Sequence, residues 1–261
     1  MNILVCVKIV SQASFADSLS EKEERLSSGS LGINPADAYA LELALRIKDK
    51  EQGTMVTVLT MAPSYVEKSL RDAIAAGADD AVIISDSRAA GSDTLATSKI
   101  IAAAIKKLPK QDLILCGKKA IDSETGHIGP QLKALLDMPL LTNVTRFELE
   151  GENLSATCAR DGVLAEYSRT LPAILTVCNG TDMVRSPTIM GIRRSKKAEI
   201  KQFTLSDLDV DINDVGLEGS PTRTVSVETI SFRRGKKNLC SDVESGSQHL
   251  AELLKGGGGN V

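Results

Sequence analysis

Through its first 140 residues the chain repeats one unit four times, an apolar run followed by a segment of helical spacing. Residues 3–10 are almost continuously apolar, the mark of a strand buried on both faces. Asn34 and Pro35 then open a helix: Asn is a good N-cap, Pro suits the first helical position, and Asp37 favours the first turn. The stripe Ala40, Leu41, Ala44, Leu45 and Ile47 keeps helical spacing. Residues 55–61 predict a second strand, and 65–76 a second helix stopped at Gly77. A third strand spans 81–84, and Asp93 caps a third helix running to about Lys107. Residues 113–116 form the fourth strand, and 131–136 lie in the fourth helix. Four such units in series predict an α/β fold: a parallel sheet, helices on both faces, right-handed crossovers.

The pattern changes after Pro139. Residues 144–149 and 153–159 flank Glu150-Gly151-Glu152, a hairpin signal, and 163–168 offer a further strand. Residues 171–178 are apolar enough to re-enter the main sheet. Between 180 and 201 core-type positions are few, and Arg193, Arg194, Lys196, Lys197 and Lys201 cluster. That cluster reads as a solvated loop. The apolar Ile189, Met190 and Ile192 stranded within it read instead as a surface for a partner. Residues 204–237 are polar and without strong periodicity, a stretch expected to wrap over something else. A short helix over 242–254 and a frayed glycine tail end the chain.

The stretch 113–130, LILCGKKAIDSETGHIGP, carries the chemistry. A strand feeds a glycine-bearing loop and then a helix start, the place where open α/β sheets hold phosphates. It matches neither G-x-x-x-x-G-K-[ST] nor G-x-G-x-x-G, so a purely structural turn and an anion-binding loop both stay open. A net charge of −3, 3% aromatic residues and no Trp argue against nucleic acid as a partner. The apolar runs are too short to cross a bilayer, so no membrane insertion is expected. The N-terminus has no charged segment before its apolar run, and the expected compartment is the cytoplasm. Five scattered cysteines and two distant histidines share no ligand spacing, so buried thiols are expected and a metal is not.

With those landmarks placed, ILVCVK (3–8), INPAD (33–37), IAAGAD (74–79), GSDTLAT (91–97), GKKAID (117–122) and LPAILT (171–176) carry a resemblance. In that order they are similar to the beta subunits of electron-transfer flavoproteins, over nearly the whole chain. The resemblance implies an adenine nucleotide alpha hydrolase-like domain over 1–200 with an antiparallel addition. Within it, 180–200 would be a partner-recognition loop, and 201–261 an arm wrapping an alpha subunit that carries FAD. It implies a nucleotide in this chain too: AMP in most members, a second FAD in electron-bifurcating ones. The pocket maps onto Cys6, Val7, Lys8, Asn34, Pro35, Ala36, Asp37 and Met61. It continues through Gly117, Lys118, Lys119, Ala120, Ile121, Asp122, Ser123, Glu124, Thr125, Gly126, His127 and Ile128.

In that mapping Cys6 and Met61 touch the adenine, backbone groups at 34–37 read its edge, and Thr125 with the amides of 126–128 holds phosphate. The carboxylates of Asp122 and Glu124, unhelpful beside phosphate, are expected to point away or cap amides. DTLAT at 93–97 and VGLEGSPT at 215–222 resemble the bifurcating version, with Asp93 capping a helix and Thr94 and Thr97 facing a second flavin. Two departures stand out. The family's Asn-x-Pro-Arg-Tyr loop reads Asp182-Met183-Val184-Arg185-Ser186, keeping only Arg185, and His127 replaces a common Gln. Ile189 takes the anchoring position for a docking dehydrogenase of acyl-CoA or other flavin type, with Met190 and Ile192 beside it. The implied work is electron carriage, from NADH or a dehydrogenase, with no catalytic residue of this chain. The competing reading is a nucleotide-binding module or ATP-dependent enzyme of the same superfamily. The ATP-cleaving version wants a glycine-rich loop after the first strand, and 10–15 holds no glycine.

Overall fold

The structure is a computed structural model and describes residues 1–11, 31–178, 184–226 and 242–256. It has two units, Met1–Arg223 and Thr224–Val261. In the first, β1 (Asn2–Cys6), β4 (Met55–Met61), β5 (Asp80–Ile84) and β6 (Leu113–Gly117) are the four expected strands. Helices α1 (Pro35–Lys50), α2 (Glu67–Ala76), α3 (Thr94–Lys106) and α4 (Ile128–Leu136) follow them in turn. Asp93 caps α3 as expected, accepting the Leu95 and Ala96 N–H groups at 3.0 Å each.

The sheet alternates its side chains between two apolar layers. Ile3 and Val5 face α1 and α2 beside Leu41, Leu45, Leu70 and Ile74. Leu4 and Cys6 face the other way, with Leu59, Ile114, Ile100 and Leu132. Each such Leu or Ile removed from water contributes about 1.5–3 kcal/mol before chain entropy is set against it. Both faces are covered, which is why the strands read as unbroken apolar runs.

The run expected as one strand over 3–10 is two. Cys6 ends β1, the Lys8 N–H turns away to Asp37 Oδ2 (2.8 Å), and β2 (Ile9–Ser11) pairs antiparallel with β3 (Leu31–Ile33) in a small second sheet. Asn34 also departs from expectation. It stands at the N-cap of α1 but makes no side-chain cap bond, because its amide is used elsewhere.

The main sheet runs β11-β5-β4-β1-β6-β10-β7-β8-β9. β10 (Ala173–Val177) re-enters between β6 and β7, parallel to both. β7 (Leu140–Glu150), β8 (Asn153–Arg160) and β9 (Val163–Thr170) form the antiparallel addition at one edge. At the other edge β11 (Lys201–Phe203) pairs parallel with β5. The chain just beyond it is also built into the first unit, with Leu205, Leu208 and Val215 buried against the α3–α4 layer. Where a loop was expected before residue 200, α5 (Ile189–Lys197) lies against α2. Arg194 donates to the Ile74 and Ala78 carbonyls at 2.8 Å, and Arg71 to the Ser195 and Ala198 carbonyls. The second unit contributes α6 (Val243–Gly256). Among the described residues no helix is long and apolar enough to cross a membrane.

Candidate functional site

The order of winding fixes where a ligand belongs. From β1 the chain adds β4 and β5 on one side, then returns to place β6 on the other. Between β1 and β6 the direction reverses, and at such a switch point the crevice beyond the strands' carboxyl ends is a binding site. A cavity of about 630 Å³ opens there. Cys6, Leu59, Met61, Ile101 and Cys116 give it an apolar floor. Leu59, Ile101 and Cys116 are floor residues that the motif reading missed, although strand periodicity puts Leu59 and Cys116 on the α3–α4 face with Cys6.

Asp37 locks the crevice open. Its Oδ2 accepts the Lys8 N–H and its Oδ1 the Gly117 N–H, both at 2.8 Å, so one carboxylate joins the ends of β1 and β6. Burial pushes its pKa from an ordinary 3.8 up to about 6, against the lowering effect of those two amides. Gly117 has to be glycine because a Cβ there would collide with Asp37 Oδ1 and lie 2.7 Å from the Ala36 Cβ.

The loop from Gly117 to α4 is held by the side chain at the N-cap of α1. Asn34 is fully buried; its Oδ1 accepts the Ile121 N–H (3.0 Å) and its Nδ2 donates to the Lys119 carbonyl (3.1 Å). Lys8 pairs with Asp122 at 2.5 Å and Lys119 with Glu124 at 2.8 Å. Those pairs keep both acidic groups out of the lining, which holds Gly117, Lys118, Lys119, Ala120, Ser123, Thr125, Gly126, His127 and Ile128. Gly126 turns the chain into α4 at φ +66°, a region where other residues are strained. The N-terminus of α4 thereby faces the cavity, with its unpaired N–H groups as anion donors.

The opposite wall is the start of α3. Ser92, Asp93, Thr94, Thr97 and Thr222 line it. Burial raises Asp93, but bonds from the Ala96 and Leu95 amides and from Thr222 outweigh it, and the carboxyl stays below its ordinary range. The Thr222 hydroxyl donates to Asp93 Oδ2 at 2.8 Å, the Asp93 N–H to Ser220 Oγ at 2.8 Å, and the Gly216 N–H to Ser92 Oγ at 2.9 Å. Segment 215–222 is therefore sewn onto the α3 N-terminus. Thr94 Oγ1 lies 3.2 Å from His127 Nδ1, so the two walls touch.

Of the residues anticipated for the pocket, Asn34, Pro35, Ala36, Ile121, Asp122 and Glu124 stand outside the lining, and the rest are in it. The Asn34 side chain braces the loop and Ala36 packs under Gly117. Ser92 and Thr222 were not anticipated singly, though both sit in segments that were. Of the four partner residues, Ile189 (76% exposed), Met190 (72%) and Ile192 share an exposed apolar patch on α5. Arg185 turns inward instead, pairing with Glu42 at 2.9 Å and Asp49 at 2.8 Å. Residues 182 and 183 of the same loop lie outside the described residues, as does the polar stretch after 226.

An open, doubly wound α/β layer with an apolar crevice at its switch point and two helix N-termini above it defines a class, the proteins that bind ligands at the carboxyl edge of a parallel sheet. The electron transfer flavoprotein domain matches residues 27–208. The chain is 38% identical to the electron transfer flavoprotein subunit beta of Thermoanaerobacterium thermosaccharolyticum over 257 residues, 97% of this chain and 98% of that one. It is 36% identical to the subunit beta of Megasphaera elsdenii, over 90% of each chain. It is 35% identical to the caffeyl-CoA reductase-Etf complex subunit CarD of Acetobacterium woodii, over 85% of this chain and 86% of that one. The chain belongs to the electron transfer flavoprotein family, on the beta-subunit side, as its motif order implied.

Proposed function

We propose that the cavity holds the adenosine-phosphate end of an FAD and that the chain works as the beta subunit of a cytoplasmic heterodimer whose alpha subunit carries another FAD. The observation that carries this reading is the wall where Asp93, Thr94, Thr97 and Thr222 meet. A mononucleotide is served by the floor and by the 117–128 loop alone. The hydroxyls that α3 adds beside that loop suit a longer ligand, and 93–97 and 215–222 are the two segments with the bifurcating pattern.

The residues fit such a group. Cys6, Leu59 and Met61 form the apolar bed that an adenine needs. The free amides at the start of α4, with Thr125, would take a diphosphate, and Lys118 would offset its charge. The Thr94 and Thr97 hydroxyls would orient the distal ring system. A bound FAD supplies hydride and single-electron chemistry, while the protein sets its position and surroundings. NADH is the donor that goes with a two-flavin complex. The partner named for the A. woodii relative, a caffeyl-CoA reductase, supports a CoA-ester dehydrogenase docking on the α5 patch.

A structural AMP is the second reading, supported by the 117–128 loop. Co-expression with the alpha subunit, followed by acid release and chromatography of the nucleotides, separates the two. Two FAD and no AMP per heterodimer is the expected result. One FAD and one AMP would refute the second flavin, and a stable nucleotide-loaded homodimer would favour a free-standing binding module.

A further inference from the structure

Cys6 and Cys116 are register partners on the adjacent parallel strands β1 and β6. Register partners point to the same face, and both thiols belong to the α3–α4 layer and line the cavity floor. Adjacent strands put such Cα atoms about 4.8 Å apart, inside the range of about 4.4–6.8 Å that a disulfide spans. Each residue is almost buried, at 6% and 3% exposure, so the cavity is the path by which a small reagent reaches them. Asp37 clamps the N–H of Gly117, the residue after Cys116, and the N–H of Lys8, two residues after Cys6. Both thiols thus stand within two residues of the amides that the Asp37 carboxylate holds.

We propose that Cys6 and Cys116 are a redox-active dithiol, oxidised by hydrogen peroxide to a disulfide that reduces the cavity's hold on its nucleotide. In the first step one thiol's sulfur attacks a peroxide oxygen, the O–O bond breaks, and a sulfenic acid and one water result. In the second, the other thiol's sulfur attacks the sulfenic sulfur, the S–O bond breaks, and the hydroxyl leaves with the thiol proton as a second water. The sum is two thiols plus hydrogen peroxide giving one disulfide plus two waters. The S–S bond, about 2.05 Å, ties the two strand ends to one another and removes the two thiols from beneath the adenine. The hydrogen bond that the Cys116 thiol donates to Cys6, together with burial, raises the Cys116 thiol, so oxidation should quicken as pH rises. Loss of nucleotide rests on the reading given under Proposed function; disulfide formation does not.

The test treats the purified heterodimer with hydrogen peroxide, then blocks free thiols and maps peptides by mass spectrometry, measuring released nucleotide in parallel. The expected result is a peptide linking Cys6 to Cys116, lighter by two hydrogens and reopened by dithiothreitol, with nucleotide lost from the oxidised protein. A Cys116→Ala variant should leave Cys6 without that cross-link. Thiols that stay reduced, or that oxidise singly to sulfinic acids, would overturn the dithiol. A disulfide with nucleotide fully retained would overturn its effect on the cavity. A heterodimer whose beta subunit holds no nucleotide even when reduced would instead contradict the functional reading, while the peptide map still decided the dithiol.

Discussion

Asp37 holds the two central strand ends together from inside the molecule, and its ionisation runs against the usual order for a carboxylate. Its folded-state pKa, about 6, lies above the ordinary 3.8, so the folded protein holds this proton more tightly than the unfolded chain between those values. The stability contributed by the neutral form is complete below 3.8 and is lost as pH rises through about 6. That interval corresponds to about 3 kcal/mol. Asp37→Asn has no proton to exchange, so its deficit against wild type should shrink by about that amount between pH 4 and pH 7 in urea unfolding. A deficit that does not change with pH would contradict the assignment. Gly117→Ala should cost about 1–3 kcal/mol through the collision with Asp37 and Ala36, read as a lower urea midpoint. Composition and spacing marked Asp37 only as a first-turn acid. That its carboxylate would take amides from just beyond β1 and from the end of β6 is a tertiary fact, invisible in a chain where Lys8 and Gly117 are 29 and 80 residues away. Asn34 is the same case: its residue type suits a helix cap, and a loop 87 residues away claims its amide.

Among the elements, the βα units were legible because each combines a two-face apolar run with an identifiable helix start or stop. Asp93 and Gly77 do what their residue types favour. The break after Cys6 was hidden by the unbroken apolar run from Ile3 to Val7. β11 is three residues long with one buried side chain, too short for periodicity to register. α5 escaped notice because its outer face is mixed apolar and basic, and its inner contacts are backbone carbonyls met by arginines. At this scale Asp93→Ala removes both the α3 cap and the tether to Thr222. It should cost about 0.5–2 kcal/mol as a lost cap. In the heterodimer it should lower flavin in the beta subunit more than Ser123→Ala does, as measured by nucleotide release. Ile189→Asp should weaken dehydrogenase-dependent electron transfer with flavin content unchanged. Unaltered transfer would remove α5 from the docking surface, leaving Arg185 with only its inward role between Glu42 and Asp49.

For the whole molecule, the winding order explains why one site arises and where. Helices cover both faces of the sheet, and the reversal at β1 and β6 leaves a crevice that packing does not fill. Family membership was legible in the order of six short motifs, and the resemblance already set 93–97 in one pocket with 117–128; the hydrogen bonds that sew 215–222 onto that wall were not legible, since they arise only by folding. The central claim is that an adenine nucleotide occupies this crevice. A crystal structure of the co-purified heterodimer tests it most directly. The account predicts density for an adenine against Cys6, Leu59 and Met61, with phosphates at the amides of 126–128. Side chains packed into the crevice, with the nucleotide bound elsewhere or absent, would contradict it.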